Sequence, residues 1–323
     1  MSKAKAVIVD YYYEDIQQER EVLDSLDVEL LDFHCSTEEE VVSVAADCDA
    51  LICQFAPITR WVIERLERCK IIVRYAIGVD NIDVNAAEEH GIFVCNVPDY
   101  GIDEVSNQAI ALLLDCAKKL TYLAGQVKQG NCSYTCVKPL HRMEGKTLGL
   151  VGFGRIPRAV ARKMGGFGLD LIAYDPLINQ EAAEELRVRP VSLEELLERS
   201  DYISVHCPLT EETRHMFDRD AFSKMKPTAI FINTARGGVV KEEDLVWALE
   251  HNVISMAGLD VTETEPIPAD HPLLKLDNAV VTPHAAWYSE EAVKSLQRKA
   301  AEEVARVFSG KPPRNPVNHP QKK

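Results

Sequence analysis

The sequence predicts an α/β protein made of two doubly wound parallel-sheet domains. Short β-rich runs alternate with helical stretches over the first hundred residues, and the same alternation restarts at Lys146. Strands that alternate with helices form parallel sheets covered on both faces. The chain has 323 residues, which suggests about two domains at roughly 150 residues each.

The first domain is expected to contain five strands separated by helices. The apolar runs that predict strands are KAVIVDY, VELLDF, ALICQF, KIIVRY and IFVCNVP. Helical spacing is found between them in DIQQEREVLDSL, EEEVVSVAA, TRWVIERLER and NAAEEHG, the last of which should end at Gly91.

Two segments connect the domains in the sequence. Residues 103–120 predict a long helix that is apolar on more than one face, so we expect it to be buried between two bodies. Residues 121–145 are polar and contain Gly125, Gly130 and Pro139. They predict either a linker or an arm that packs on a partner subunit.

The second domain is expected to contain six strands, followed by a terminal helix. The predicted strands are KTLGLVGF, LDLIAYD, YISVHCP, TAIFINTA, ISMAGLDV and AVVTPHA, and the predicted helices are RIPRAVARKMGGFG, SLEELLERS and EEDLVWALEHN. The terminal helix should begin at Ser289 and stop at Gly310, and it could fold back onto the first domain. We therefore predict one domain from 1–102 with 291–323 and another from 103–290.

Composition excludes several classes of protein. A hydrophobic fraction of 46% and a charged fraction of 27% are those of a globular chain and not of a disordered one. With 36 Lys+Arg against 51 Asp+Glu, the net charge of −15 argues against a nucleic-acid binder that works through its overall field. No apolar stretch approaches the ~20 residues that cross a bilayer, and the N-terminal residues lack a signal-peptide pattern.

The cysteines predict a reducing, cytoplasmic environment and no metal site. There are nine, an odd number, and no pair has CxxC spacing. Cys132, Cys136 and His141 lie close together in the sequence, but they lack the fourth ligand that a structural metal site needs.

A glycine-rich turn predicts a dinucleotide site. Gly152-Phe153-Gly154-Arg155-Ile156 follows the strand LGLV directly and precedes a helix. The first glycine allows a tight turn, the second lets backbone N–H groups approach a pyrophosphate, and the helix N-terminus supplies further donors. Pro157 stands where the fingerprint has its third glycine, and proline is acceptable in a first helical turn.

An acidic residue completes this fingerprint. Asp175 ends the strand LIAYD, 21 residues after Gly154, and Pro176 follows it. Its carboxylate can accept both ribose hydroxyls and would repel a 2′-phosphate, and no arginine follows in DPLINQ. We therefore predict NAD as the cofactor in preference to NADP. Considered alone, Asp175 would be interpreted as a turn acid that ends a strand before Pro176, and the glycine turn is what favours ribose binding.

Three charged residues follow predicted strands of the second domain. Arg236 follows AIFINTA, Glu265 follows MAGLDVTET and His284 follows AVVTP. Open α/β sheets bind ligands at the carboxyl ends of their strands, so the three could form an acid–base unit. The spacing alone leaves structural roles open for the histidine and the glutamate. The arginine precedes Gly237 and Gly238, which clear space beside it.

The motifs NTARGG, GLDVTETEP and TPHAAW, with VGFGRIP and YDP upstream, resemble those of the D-isomer-specific 2-hydroxyacid dehydrogenases. The similarity covers nearly the whole chain and is greatest to the C-terminal-binding-protein-like and phosphoglycerate-dehydrogenase-like branch. It implies a flavodoxin-like substrate domain, a Rossmann NAD-binding domain, a cleft between them and a homodimer formed through the cofactor domains.

The resemblance implies a role for each charged residue. Arg236 matches the arginine that grips the substrate, His284 matches the general acid/base, and Glu265 matches the carboxylate that hydrogen-bonds the histidine. The chemistry agrees, because hydride transfer to a 2-keto group develops alkoxide charge that an arginine stabilises and an imidazolium quenches. A neighbouring carboxylate favours the imidazolium and fixes the orientation of the ring.

The resemblance also implies residues that line the cofactor and the substrate. Asp260 matches the acid that holds the nicotinamide amide, and Arg236 and His284 also border the cofactor. The other matching cofactor positions are Val105, Pro176, His206, Cys207, Pro208, Thr213, Thr234, Ala235 and Ala286. The loop whose arginine and backbone amides hold the substrate carboxylate matches Arg74, Tyr75, Ala76, Ile77 and Gly78, with alanine at 76 where relatives usually have glycine.

The resemblance gives a leading function and two alternatives. The leading one is an NAD-dependent D-2-hydroxyacid dehydrogenase that runs mainly as a 2-keto acid reductase. Trp287 matches an indole that favours an apolar or thioether tail, as in 4-methylthio-2-oxobutanoate, although it could be a packing aromatic. One alternative is an NAD(H)-sensing scaffold or corepressor-like protein with little turnover. The other is 3-phosphoglycerate or phosphohydroxypyruvate as substrate, which needs another cation such as Arg60 or Arg142 of the partner subunit.

Overall fold

The computed structural model describes residues 3–320, which divide into two compact units. The described residues up to Gly101 and from Tyr288 onward form the first unit, and Ile102–Trp287 form the second. Both are doubly wound parallel α/β units, so the predicted fold class is confirmed. Assigning the substrate to one unit and the cofactor to the other stays a prediction. Residues 1, 2 and 321–323 of the predicted first domain lie outside the described residues.

The first unit has a five-stranded parallel sheet in the order β2-β1-β3-β4-β5. This is the strand order of flavodoxin-like folds. The central strands are buried on both faces, which explains why their sequences are continuous apolar runs. The strands are β1 (Ala4–Ile8), β2 (Val28–Asp32), β3 (Ala50–Cys53), β4 (Ile71–Arg74) and β5 (Phe93–Cys95).

Helices cover both faces of this sheet. They are α1 (Gln17–Leu23), α2 (Glu38–Ala45), α3 (Arg60–Ile63), α4 (Val84–Glu89) and α12 (Glu290–Phe308). The long α12 packs against α1 and belongs to this unit, which is one of the two placements that the sequence allowed. The predicted helix TRWVIERLER keeps only one turn, because the N–H groups of Arg65 and Leu66 bond three residues back and tighten the chain.

The end of the described chain covers the outer edge of β5. After α12, which is capped by Ser289 as predicted, the chain returns to the sheet. The N–H of Val317 donates to the carbonyl of Val94 at 2.8 Å. The side-chain amide of Asn318 accepts from the N–H of Val94 at 2.8 Å and donates to the carbonyl of Ile92 at 2.9 Å. Asn318 thus supplies hydrogen bonds that a neighbouring backbone would otherwise make.

The second unit has a seven-stranded parallel sheet in the order β12-β11-β10-β9-β6-β7-β8. The chain winds in one direction from β6 to β8 and then returns to add β9 beside β6, so the strand order reverses between β6 and β9. Ligands bind at such switch points, outside the carboxyl ends of the strands. The strands are β6 (Thr147–Val151), β7 (Asp170–Tyr174), β8 (Arg189–Pro190), β9 (Tyr202–Val205), β10 (Ile230–Asn233), β11 (Met256–Leu259) and β12 (Ala279–Val281).

Seven helices belong to the second unit. They are α5 (Ile102–Lys118), α6 (Leu120–Lys128), α7 (Arg155–Met164), α8 (Gln180–Glu185), α9 (Leu193–Arg199), α10 (Arg219–Ser223) and α11 (Glu242–Glu250). Within the unit α5 packs against α7, β10 and β11. Its burial between two bodies stays a prediction. Within residues 3–320, no helix combines the length and the apolar character that crossing a bilayer requires.

The stretch predicted as a linker or an arm is partly helical, which corrects the linker interpretation for residues 121–128. Lys119 adopts a left-handed conformation with φ of 52° and ends α5. Thr121 then donates through its N–H and its hydroxyl to the carboxylate of Asp115, at 2.7 and 2.5 Å, which orients the start of α6. The short α8 and α10 were not predicted from the sequence, although both begin at side chains that are typical helix caps, Asn179 and Asp218.

Candidate active site

The glycine turn after β6 has the shape that a phosphate cradle requires. Gly152 has φ of +89°, and a Cβ there would lie 3.0 Å from the backbone nitrogen of Cys207. Only glycine fits both restrictions. A Cβ on Gly154 would meet nothing within 4 Å, so this residue faces open space at the start of α7. The first N–H groups of a helix lack partners within it and can bind an anion.

Asp175 fixes this turn to the end of β7. Its Oδ2 accepts from the N–H of Phe153 at 2.7 Å, and its Oδ1 accepts from the N–H of Leu177 at 2.8 Å. Each carboxylate oxygen has a second lone pair for a ribose hydroxyl. The residue is therefore both a turn acid and a candidate ribose ligand, and the two interpretations drawn from the sequence are compatible.

A second group of predicted cofactor residues follows β9 and β10. The ring of His206 lies 2.9 Å from the hydroxyl of Ser204, and burial lowers the pKa of this histidine to about 3, so the ring is neutral. Burial raises the pKa of the Cys207 thiol to about 11. The hydroxyl of Thr213 donates to the carbonyl of Pro208 at 2.6 Å and shapes the loop after β9.

Thr234 supplies a different kind of signal. Its hydroxyl is buried and, among the residues that the structure describes, has no hydrogen-bond partner. An unpaired buried hydroxyl costs about 1–3 kcal/mol unless a ligand satisfies it. Together with the glycine turn, this residue gives the second unit the features that a dinucleotide site needs.

The predicted acid–base pair is assembled in the second unit. Nδ1 of His284 lies 2.6 Å from Oε2 of Glu265, and each side chain is about a third exposed, at 36% and 37%. The N–H of Thr262 donates to Oε1 of the same carboxylate at 3.1 Å. Burial raises the pKa of Glu265, but the hydrogen bond and charge of His284, the Thr262 N–H and the charge of Arg236 together outweigh burial and lower it. The carboxylate is therefore ionised at neutral pH.

The histidine is held in an unusual backbone conformation. His284 has φ of 51°, a region that non-glycine residues rarely occupy and that costs of order 1–3 kcal/mol. Its N–H donates to the carbonyl of Asp260 at 2.8 Å. The buried Asp260 carboxylate accepts from the N–H of Ala286 at 2.8 Å and from the hydroxyl of Thr282 at 2.5 Å. Asp260 was predicted only as a nicotinamide ligand, and its contacts make it an anchor of the His284 loop.

Arg236 lies at the end of β10 beside the Glu265 loop. The buried Asn233 side chain donates to the carbonyl of Arg236 at 3.0 Å and accepts from the N–H of Ala235 at 2.9 Å, which sets the turn. A Cβ on Gly237 would lie 2.0 Å from the carbonyl carbon and oxygen of Thr262, so two backbones touch here. No role was predicted for Asn233. Its only signal in the sequence is that a polar residue ends an apolar strand.

The predicted substrate segment lies in the first unit and offers fewer donors than expected. Arg74 is buried, and its Nε donates to the carbonyl of Gln54 at 3.0 Å, with Asp80 3.3 Å from its Nη1. The N–H of Tyr75 donates to Cys53 and that of Ala76 to Arg74, both at 2.8 Å. Strand and turn bonds already use these two amides, and the role of this segment in binding the substrate stays a prediction.

The remaining predicted residues have simpler environments. Val105 is buried in the first turns of α5, and Ala286 is buried where its N–H binds Asp260. Trp287 is half-buried, and Pro176 and Arg155 are exposed. Within residues 3–320, no cluster of three or more His, Cys, Asp or Glu side chains could hold a metal ion.

Comparisons with known proteins place this geometry in context. Residues 110–286 match the family described as D-isomer specific 2-hydroxyacid dehydrogenase, NAD binding domain. The chain is 41% identical over 286 residues to a glyoxylate reductase of Korarchaeum cryptofilum, covering 87% of this chain and 86% of that protein. It is equally identical over 286 residues to a D-3-phosphoglycerate dehydrogenase of Methanocaldococcus jannaschii, covering 88% of this chain but only 54% of that protein.

Solved structures agree with the sequence relatives. A glyoxylate reductase from Paecilomyes thermophila superimposes with a TM-score of 0.90 at 28% identity, covering 98% of this chain and 99% of that one. D-Lactate dehydrogenase from Aquifex aeolicus, complexed with NAD and lactic acid, superimposes with a TM-score of 0.88 at 28% identity, covering 98% of this chain and 100% of that one.

Proposed function

Because the chain belongs to the D-isomer specific 2-hydroxyacid dehydrogenase family, we propose that it works mainly as a 2-keto acid reductase with His284, Glu265 and Arg236 as its catalytic residues. The predicted family, the predicted NAD cofactor and the predicted class of enzyme, an NAD-dependent oxidoreductase, are confirmed. The observation that carries the proposal is the 2.6 Å separation between His284 Nδ1 and Glu265 Oε2.

The proposed chemistry assigns one task to each side chain. C2 of the keto acid would receive the hydride that NADH supplies when it is bound. Glu265 accepts a hydrogen bond from the Nδ1–H of His284, so Nε2 is the atom that would pass a proton to the carbonyl oxygen of the substrate. The ionised Glu265 stabilises the imidazolium, and the Arg236 guanidinium stabilises the developing alkoxide and the substrate carboxylate.

The cofactor is proposed to bind along the carboxyl ends of the β6, β7, β9 and β10 strands. The N–H groups of Gly154, Arg155 and Ile156 would hold the pyrophosphate, and Asp175 would hold the adenosine ribose and exclude a 2′-phosphate. Thr234 would gain the partner that its hydroxyl lacks. The lining residues proposed with them are Val105, Gly152, Phe153, Pro176, His206, Cys207, Pro208, Thr213, Ala235, Asp260 and Ala286.

The substrate carboxylate is proposed to bind the N–H groups of Ile77 and Gly78 with help from Arg74, and Trp287 is proposed to contact the tail of a substrate with a modest apolar chain. The first unit would then be the substrate domain and the second the NAD-binding domain. An acid such as 4-methylthio-2-oxobutanoate fits an indole better than a phosphorylated acid does.

We also propose that the protein is a cytoplasmic homodimer that pairs through α6 and the segment that follows it. No residue of α6 is buried, and four large apolar side chains on this stretch are exposed, namely Leu120, Val127, Tyr134 and Leu140. Apolar surface of this kind favours a partner. The nine cysteines are unpaired, as expected in a reducing compartment. Sedimentation equilibrium of the wild-type protein and of a Val127→Glu variant tests the dimer, which the variant should weaken.

The catalytic proposal is tested by following NADH oxidation with glyoxylate, hydroxypyruvate, phosphohydroxypyruvate and 4-methylthio-2-oxobutanoate. We expect reduction of at least one unphosphorylated keto acid, and a roughly 10²–10⁴-fold lower turnover in His284→Ala through loss of the general acid. Failure of the wild-type protein to reduce any acid of this panel would refute the proposal.

A phosphorylated substrate is kept in the panel because some relatives are named D-3-phosphoglycerate dehydrogenase. The structure does not favour Arg60 as the extra cation that a phosphorylated substrate would need. Its guanidinium already makes two hydrogen bonds to the carboxylate of Glu89, at 2.6 and 3.2 Å. No specific observation favours the alternative of a scaffold with little turnover.

A further inference from the structure

We infer that Glu242 and Glu263 form a pair of positioning residues that holds Glu265 against His284. The inference rests on the proposed function, in which the Glu265–His284 pair does the acid–base work. Neither glutamate was predicted to have a role from the sequence, and neither is proposed to touch substrate or cofactor.

Each of the two glutamate carboxylates accepts a hydrogen bond from the backbone N–H of the other residue. The N–H of Glu242 donates to Oε2 of Glu263 at 3.1 Å, and the N–H of Glu263 donates to Oε1 of Glu242 at 2.7 Å. Glu242 is the first residue of α11, and Glu263 lies in the loop after β11. This reciprocal pair therefore joins the beginning of a helix to a loop that has no regular structure of its own.

Each of the two carboxylates also contacts a histidine. Nε2 of His215 lies 2.6 Å from Oε1 of Glu263, and Nε2 of His271 lies 3.3 Å from Oε2 of Glu242. Glu242 is buried, and burial together with the nearby charges of Glu263 and Glu265 raises its pKa. Placing three carboxyl groups this close together is unfavourable by itself, because their charges repel and burial disfavours them. Another contribution must offset that free-energy cost.

The loop that this pair holds is the one that carries Glu265. Directly before Glu263, the N–H of Thr262 donates to Oε1 of Glu265 at 3.1 Å, while Oε2 of that carboxylate lies 2.6 Å from His284. Gly237 packs closely against the peptide that joins Thr262 to Glu263. The loop cannot move relative to α11 without breaking both hydrogen bonds of the Glu242–Glu263 pair. The pair therefore fixes the position of Glu265 relative to His284.

Two variants at position 263 separate geometry from charge. Glu263→Gln keeps the length of the side chain and an oxygen that can accept from the N–H of Glu242. Glu263→Asp keeps the charge but is one methylene too short for the same bond. We expect Glu263→Asp to lower kcat by roughly tenfold to a hundredfold with the KM for NADH unchanged, and Glu263→Gln to keep most of kcat.

Glu243→Gln is the matched control. It removes one carboxylate from the neighbouring position of α11, where Glu243 pairs with Lys241 at 2.8 Å. We expect wild-type kinetics from it. The inference would be overturned if Glu263→Asp kept the kcat of the wild-type enzyme, or if Glu263→Gln lost as much as Glu263→Asp.

Crystal structures of the three variants give a readout that does not depend on activity. We expect the distance from Glu265 Oε2 to His284 Nδ1 to exceed hydrogen-bond length in Glu263→Asp and to stay short in Glu263→Gln and Glu243→Gln. An unchanged distance in Glu263→Asp would refute the positioning role even if the wild-type protein reduced no keto acid. Inactivity of the wild-type protein, in contrast, would refute only the proposed function.

Discussion

The contact between Gly237 and the loop at Thr262 predicts that one added methyl group disables the site. In Gly237→Ala the new Cβ would lie 2.0 Å from the carbonyl carbon and oxygen of Thr262 and 2.5 Å from the backbone nitrogen of Glu263. All three atoms belong to the backbone, so no side chain can rotate away to relieve the overlap. The turn that carries Arg236 and the loop that carries Glu265 must therefore separate.

The size of the effect follows from this distance. Cβ atoms essentially never approach closer than 3.0 Å, so the two backbones must move apart by at least about 1 Å. Overpacking of this kind costs about 1–3 kcal/mol of stability. A displacement of about 1 Å in a catalytic group can cost on the order of 10²-fold in rate. We therefore expect kcat/KM for the best keto acid to fall by roughly a hundredfold while the protein stays folded.

Gly238→Ala is the control for this experiment. Its Cβ would meet the side chain of Leu209 at 3.1 and 3.4 Å and the guanidinium of Arg214 at 3.7 Å, and both side chains can shift. Steady-state NADH oxidation and thermal unfolding are measured for both variants beside the wild-type enzyme. Equal activity of Gly237→Ala and Gly238→Ala would refute the reasoning, since it would mean that the two backbones need not touch.

Three further predictions concern the acid–base pair, the pH dependence of stability and the cofactor. Glu265→Gln should lower kcat/KM for keto acid reduction by roughly tenfold, the lower end for a charged hydrogen bond, because both partners are about a third exposed. His206 has a pKa of about 3 in the folded protein, so below its ordinary value of 6.5 the unfolded chain binds a proton that the native chain does not. Through this residue, the free energy of unfolding should fall by up to about 2 kcal/mol as the pH is lowered from 7 to 5. In urea unfolding experiments, His206→Asn should lack this contribution. Asp175→Ala should raise the KM for NADH and reduce the preference for NADH over NADPH by roughly tenfold.

Each of these predictions has an outcome that would contradict it. For Glu265→Gln the contradicting outcome is a kcat/KM equal to that of the wild-type enzyme. For His206→Asn it is an unchanged slope of unfolding free energy against pH, with the wild-type protein measured in the same buffers. For Asp175→Ala it is a preference for NADH as strong as in the wild-type enzyme.

Local patterns in the sequence predicted the fold and the tight turn at Gly152 well. A few adjacent residues are enough to recognise the continuous apolar runs of the central strands and the glycine turn at Gly152. Burial and backbone conformation are local properties at these places. The short α8 and α10 were missed, since five or six residues are too few for a helical apolar pattern. Their caps at Asn179 and Asp218 were the available signal.

Contacts between distant residues could not be derived from spacing alone. His284 and Glu265 are 19 positions apart, and only the parallel strands β11 and β12 bring the segments after them together. The resemblance suggested that pair, but nothing in the pattern indicated that Asp260 anchors the histidine loop. Nothing in the sequence shows that the ladder between β3 and β4 extends one residue beyond the strand and uses the amide of Tyr75.

The way Asn318 closes the edge of β5 has a practical consequence. An open strand edge is a template for pairing with other chains, and natural proteins cover it to avoid aggregation. A recombinant chain shortened to end before Asn315 would leave the outer hydrogen-bonding groups of Val94 and Ile92 exposed. Such a protein should self-associate into β-rich particles on gentle warming, while the glycine turn and the proposed catalytic pair, which lie in the other unit, remain chemically complete.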